Sequence, residues 1–347
     1  MSSRLVFFLL SIVFLLKIFA IKYTNFDLFG DEAQYWLWSQ RLDLGYYSKP
    51  PLLAWLISVT TFVFGNSFVV LKLIPFTMYF FSSYVVYLIS YELYQNKKIA
   101  IISGISFYLM PATSISSFIL STDIVLIFFW SLCLLMLLKI RSGPHLINFL
   151  LLGVFLGLSF LAKYATIYFI LSLLLFLFFD IKLRKIFIEK IQYIFIFIIT
   201  VIIVVLPNII WNIKNSWITF SHTSDNAALD RININLFQGL EFLLIQAVML
   251  GPLLFIFFVF TSSKIKLNFQ TRFLLCFSLP VFLIILIESV LVRANANWAA
   301  VALPALLILL INHANGLTKK IIYFNGFING IFCCVLFFLI LTSSSLK

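Results

Sequence analysis

The feature that most constrains this chain is the length of its uninterrupted apolar runs. ILSLLLFLFF at 170–179 and IFIFIITVIIVVL at 194–206 carry no charge and show no polar/apolar alternation. In hydrocarbon every backbone N–H and C=O must be satisfied internally, which leaves only helices and closed barrels. Barrel strands alternate lumen-facing and lipid-facing residues, so these runs specify helices. Composition agrees. Of 347 residues, 63% are hydrophobic and 10% charged, against about 25% charged in soluble domains. The expected fold is an all-α polytopic membrane protein.

A span needs roughly 20 mainly apolar residues, and hydropathy yields about eleven of them. They fall near 4–22, 68–93, 99–117, 122–139, 146–162, 165–180, 190–209, 241–260, 271–291, 298–312 and 320–341. The first follows Arg4 and resembles a signal peptide. It lacks a small-residue cleavage site, so it is read as an uncleaved helix. The apolar stretch 52–64 is too short to span, lies between Pro50-Pro51 and Gly65-Asn66, and is expected to lie at the interface or re-enter. No repeat or linker divides the chain, so residues 1–347 read as a single membrane-embedded domain without a separate soluble one.

Counting Lys and Arg orients the spans. With the N-terminus inside, the inner loops hold short positive clusters such as Lys97-Lys98 and Lys182-Arg184-Lys185. That bias explains much of the net charge of +12 without nucleic acid as a partner. The outer positives are mostly single and set among aromatics, as ligand contacts would be. Lys17 and Glu288 lie within spans, and each can reach an interface or a neighbouring helix. The four cysteines lie inside apolar runs without metal or disulfide spacing.

Two outward segments exceed a turn, about 23–66 and 210–240. The first reads FDLFGDEAQYWLWSQRLDLGYYSKPPLLAW over 26–55. Asp31 and Glu32 open an amphipathic stretch in which Tyr35 and Trp38 recur at helical spacing. The plain interpretation is a helix start with interfacial aromatics. The functional one is a general base at the water–lipid boundary, aided by a second carboxylate.

The order DEAQYWLWSQRLDLGYYSKPPLLAW (31–55) resembles the bacterial polyprenyl-phosphate-sugar-dependent glycosyltransferases of the GT-C superfamily. That group includes the protein O-mannosyltransferases of glycosyltransferase family 39 and the aminoarabinose transferases acting on lipid A. Collinear segments extend the likeness over about 4–315: STDIVLIFFW (121–130), GLSFLAKYATIYF (157–169), LPNIIWNIKNSWITFSHT (206–223) and ANANWAAVALPALL (294–307).

The resemblance implies a GT-C-like helical bundle with amphipathic helices in the first outer loop. It implies a polyprenyl-phosphate-linked sugar as donor and a single displacement with inversion at the anomeric carbon. Asp31 falls on the family's base, Glu32 would assist or hold the acceptor, and Lys49 matches the position that contacts the donor phosphate. Ser48 stands where relatives often carry His or an acid, which puts a metal site in this loop in doubt.

Asp123 and Lys163 match segments facing the catalytic cavity. Lys163 is assigned to phosphate, and Asp123 to Lys163 or to the sugar. Helix capping and charge pairing are the plain alternatives. Arg231 and Arg293 are further phosphate candidates. Tyr35, Asn297 and Trp298 are candidate substrate contacts, the last two in a polar–aromatic cluster of the kind that binds sugars. His222 and Asp225 lack a third ligand, so no metal site is assigned and no cofactor is certain, with a divalent ion left open.

The expected activity is transfer to lipid A, lipopolysaccharide, another envelope glycan or a protein, at the periplasmic face of a bacterial inner membrane. A lipid-linked-sugar transporter or flippase is the alternative. It would place polar groups at the bilayer midplane, often in repeated halves, and would leave its lipid-linked sugar intact. A non-catalytic scaffold would have no use for the acidic–aromatic loop.

Overall fold

A computed structural model describes residues 3–24, 26–227 and 232–342, and these form helices, turns and loops with no strand among them. From α1 (Ser3–Lys22) the chain enters a loop holding two short helices, α2 (Gly30–Ser39) and α3 (Leu52–Phe64), and returns through α4 (Phe68–Tyr94). Next come α5 (Lys97–Leu109), the short α6 (Pro111–Ser116), α7 (Thr122–Ser142) and α8 (Leu146–Ala162). A 3-10 turn, Tyr164–Thr166, leads into α9 (Ile167–Phe179), which is followed by α10 (Ile181–Glu189), α11 (Ile191–Lys214) and α12 (Ile218–Ala227). The remainder is α13 (Leu236–Leu250), α14 (Pro252–Thr261), α15 (Phe269–Cys276), α16 (Leu279–Leu291), a 3-10 stretch at Ala296–Ala302, α17 (Leu303–Leu317) and α18 (Lys319–Thr342).

The protein is a multi-pass membrane protein. All the apolar segments expected to span are helical. Six helices among the described residues are long and apolar enough alone, and up to eight if each of two bent pairs is one span. The expected span 241–260 is one such pair. Its two halves meet at Gly251, bent by 114°, because Gly251 has φ +108° and Pro252 cannot continue the preceding helix. The expected span 99–117 breaks at Met110-Pro111 for the same reason. The second bend, 104° between α9 and α10, lays α10 across the far end of the bundle. There Asp180 accepts the Leu183 N–H at 2.7 Å and pairs with Arg141 at 3.1 Å.

One hydrophobic core runs from Val6 to Ile322, with Trp130, Cys133 and Leu134 of α7 fully buried. α8 packs closely on α11 because Gly153 and Gly157 face it. An added Cβ would lie 2.8 Å from Thr200 Cβ or 2.7 Å from Val204 Cβ, so small residues four apart permit the approach. The rest of α11 faces outward, only 6% of its apolar window being buried. Lys17 reaches neighbouring α5, its amine 3.9 Å from the Tyr108 ring centroid. α3 is an apolar helix of 13 residues whose first turns are buried, while Phe62 near its end is 90% exposed.

Candidate active site

α2 sets the geometry of the site. At its start Glu32 reaches back, Oε2 accepting the Phe29 N–H at 2.9 Å, which satisfies one of the donors a helix N-terminus leaves unpaired. Its other oxygen, Oε1, takes the ammonium of Lys72 and the Leu120 N–H, the latter at 2.5 Å. Lys72 also donates to the Phe118 carbonyl at 2.8 Å. Both side chains are essentially inaccessible, at 0% and 1% exposure. One buried ion pair therefore joins α2, α4 and the segment before α7. The resemblance implied that Glu32 assists or holds the acceptor; in the structure it is buried and bonded to the protein itself. Its carboxylate is enclosed, and both of its oxygens are engaged by protein donors.

Successive helix residues are about 100° apart, so anchoring Glu32 inward turns Asp31 outward. Asp31 is exposed, with no hydrogen-bond partner among the described residues. Tyr35, one turn on, is buried, its ring tilted against Trp38 at 5.7 Å. Burial first, then the charges of Asp31 and Asp123, hold the Tyr35 hydroxyl well above the usual phenol range.

The loop after α2 is held by its aromatics. Trp38 stacks on Tyr46 at 4.8 Å, and the Tyr46 hydroxyl donates to the Trp38 carbonyl at 3.1 Å. Trp55 Nε1 donates to the Asp43 carbonyl at 2.9 Å. This frame presents Lys49, half-buried, just before Pro50-Pro51 opens α3. Lys49 has no side-chain partner among the described residues. Burial first, then the like charge of Lys163, lowers its pKa, while Asp123 and Asp31 oppose the shift.

Asp123 and Lys163 come from the same end of the bundle, at the start of α7 and the end of α8. Lys163 Nζ lies 2.6 Å from Asp123 Oδ1, and Asn297 Nδ2 donates to Asp123 Oδ2 at 2.8 Å. Asp123 thus ties α7, α8 and the Ala296–Ala302 stretch together. Its two oxygens are both engaged, one by Lys163 and one by Asn297.

Lys49, Lys163 and Trp298 line one cavity of about 620 Å³. Its floor is aliphatic, from Ile167 on α9 and Val201, Ile202 and Val205 on the lipid-facing α11. Thr223 and Asn226 of α12 overhang it. α12 is tethered to the first loop by Thr219 Oγ1, which donates to the Tyr46 carbonyl at 2.6 Å, and α11 by Asn208 Nδ2, which donates to the Leu44 carbonyl at 2.7 Å. Tyr164 donates to Asn208 Oδ1 at 2.8 Å. Gly45 is required beside the Trp211 ring, into which any Cβ would project.

The structure thus gathers Asp31, Lys49, Asp123, Lys163 and Asn297 at one end, with Trp298 in the cavity wall. Arg293 is exposed beyond α16 and does not line this cavity. Arg231 lies outside the described residues. Among the described residues no three His, Cys, Asp or Glu side chains are grouped to hold a metal ion. Sequence reasoning did not find the partnership of Glu32 with Lys72, 40 residues apart. It also missed Thr219 and the place of Glu288 in the cavity wall. For Lys72 a signal existed: a lone cation inside an apolar run demands a partner.

In architecture and in the loop that carries α2 and α3, the chain resembles a class, the multi-span helical glycosyltransferases of the GT-C superfamily. Within that class, residues 48–211 match the family of dolichyl-phosphate-mannose-protein mannosyltransferases. The lipid A galacturonosyltransferase RgtD of Rhizobium johnstonii is 31% identical over 296 residues, 83% of this chain and 61% of that protein. The undecaprenyl phosphate-alpha-4-amino-4-deoxy-L-arabinose arabinosyl transferase of Wigglesworthia glossinidia brevipalpis is 25% identical over 182 residues, 46% of this chain and 32% of that protein. The crystal structure of ArnT from Cupriavidus metallidurans bound to undecaprenyl phosphate superposes with a TM-score of 0.72 at 15% identity, covering 92% of this chain and 62% of that one. An Archaeoglobus fulgidus oligosaccharyltransferase aligns with a TM-score of 0.58 at 17% identity, over 97% and 53% of the two chains. The chain spans about three fifths of the length of RgtD, and less of the arabinosyl transferase.

Proposed function

We propose that this chain is an inverting glycosyltransferase. It moves a sugar from a polyprenyl-phosphate donor to lipid A or a related envelope glycan at the outer face of a bacterial inner membrane. The observation that carries this reading is a cavity with Lys49, unpaired, and Lys163 at its head and a lipid-facing aliphatic wall below. A phosphate on a long prenyl chain fits both halves. Lipid A as acceptor is supported by the RgtD relative.

The chemistry follows from the groups present. Asp31, unpaired at the water-facing edge, takes the proton of the acceptor hydroxyl. The acceptor oxygen forms its bond to the anomeric carbon as the bond to the phosphate oxygen breaks. The electron pair leaves on the lipid phosphate, and the transition state resembles an oxocarbenium ion. Lys49 and Lys163 stabilise the growing negative charge, and a fixed cation does so most strongly where water is excluded. Asp123, shared with Asn297, keeps Lys163 oriented. The donor end is buried and the acid is open, so the lipid-borne sugar enters from the bilayer and the acceptor from the aqueous side.

The test is transfer from a labelled undecaprenyl-phosphate sugar to lipid A by purified protein in nanodiscs. Asp31→Asn is expected to lower kcat by about 100-fold or more, the scale of general-base catalysis. Lys49→Ala is expected mainly to raise the donor KM. Normal turnover by Asp31→Asn would remove Asp31 as the base.

A further inference from the structure

The candidate donor cavity has two unlike walls. One, from α11 and the adjoining part of α9, is aliphatic and open to lipid. The other is formed by α16 and the 3-10 stretch after it, and carries Glu288 and Trp298. Glu288 lies within a membrane span, near the site end of α16. It forms none of the ion pairs found among the described residues. A carboxylate kept in a span without a protein partner is costly and points to a ligand. The lysines at the head of the cavity do not answer it, since Lys163 already pairs with Asp123 and Lys49 faces the phosphate position.

The donor has three parts, and two are already placed. The phosphate belongs with Lys49 and Lys163, and the prenyl chain with the aliphatic wall. The sugar is left to the wall with the indole and the acid. An indole face packs against the C–H face of a sugar ring. The carboxylate discriminates among ring substituents. A protonated amino group gives it a charge-assisted hydrogen bond, whereas a sugar carboxylate meets a like charge in a poorly screened cavity.

We infer that Glu288 is a specificity-determining residue and that the donor sugar carries a basic amino group, uronate sugars being rejected. This rests on the transferase reading above. It separates the chain from the relative at 31% identity, named as a galacturonosyltransferase.

The experiment measures binding, so no acceptor is needed. Full-length protein in nanodiscs is titrated with undecaprenyl phosphate, undecaprenyl-phosphate-4-amino-4-deoxyarabinose and undecaprenyl-phosphate-galacturonate. Wild type is expected to bind the amino sugar at least about tenfold more tightly than the uronate, a floor set a little above one like-charge contact in bulk water and well below one near a protein surface. Glu288→Gln should reduce that ratio to near unity, and Glu288→Lys should invert it. Each ratio is internal to one preparation, so partial misfolding cancels. An unchanged ratio in Glu288→Gln, or no preference in wild type, overturns the inference. If wild type binds none of the three lipids, or Lys49→Ala binds bare undecaprenyl phosphate as well as wild type does, the donor site itself has failed and this inference falls with it.

Discussion

At the scale of single residues, the site depends on charges held in unlike surroundings. Glu32 and Lys72 are enclosed together, so removing either strands the other. Lys72→Met or Glu32→Leu alone is expected to cost about 3–5 kcal/mol, while the double variant recovers much of the loss. Thermal unfolding in detergent distinguishes this from additivity, which would mean that the two groups do not support each other. Lys49 makes a second prediction. Burial and Lys163 lower its pKa, and in the proposed reaction the donor phosphate needs its charged form. Donor affinity must therefore fall as pH rises through that lowered value, where an ordinary lysine is still charged. Arginine keeps its charge throughout, so Lys49→Arg should move the alkaline fall upward in a profile of donor KM against pH. The same alkaline limb in both proteins would assign the titration to another group.

At the scale of elements, the short helices outside the bundle matter more than the spans. α12 overhangs the cavity with Thr223 and Asn226, and Thr219 holds it to the first loop by one hydrogen bond to the Tyr46 carbonyl. Thr219→Val keeps the side-chain shape and leaves that carbonyl unpaired, a loss of about 1–3 kcal/mol when buried. Local opening across 218–227 should then speed hydrogen exchange there, and the donor KM should rise more than kcat falls. Unaltered exchange over α12 would show that something else holds it. This tether was invisible in the chain's own order because its partners are 173 residues apart, and no local spacing encodes such a bond. The α13–α14 break was legible in principle, since Gly251-Pro252 is a breaker pair. Hydropathy averaged across it, because both flanks are apolar.

At the scale of the whole molecule, bilayer thickness made the helices readable, because each apolar run must be about as long as the hydrocarbon is deep. It left their mutual packing unreadable, and with it the unlike surroundings of Asp31 and Glu32. Those adjacent acids look alike in sequence and differ only because α4 and the segment before α7 close over one of them. The same alternation of helices sets sidedness. Asp31, Lys49, Asp123, Lys163 and Asn297 share one end of the bundle, while Lys139–Glu92 and Arg141–Asp180 share the other. If the clustered cations of the second end face the cytosol, the first end faces outward. Single cysteines at Asp31 and Lys182 test this with a membrane-impermeant maleimide. Cys133, Cys276 and Cys333 are buried, and exposed Cys334 lies on a helix with span character, so a polar reagent reaches the introduced thiols first. Asp31→Cys should label in intact spheroplasts and Lys182→Cys only after lysis. The opposite pattern would put the carboxylate in the cytosol, where it could not meet an acceptor arriving from the outer side.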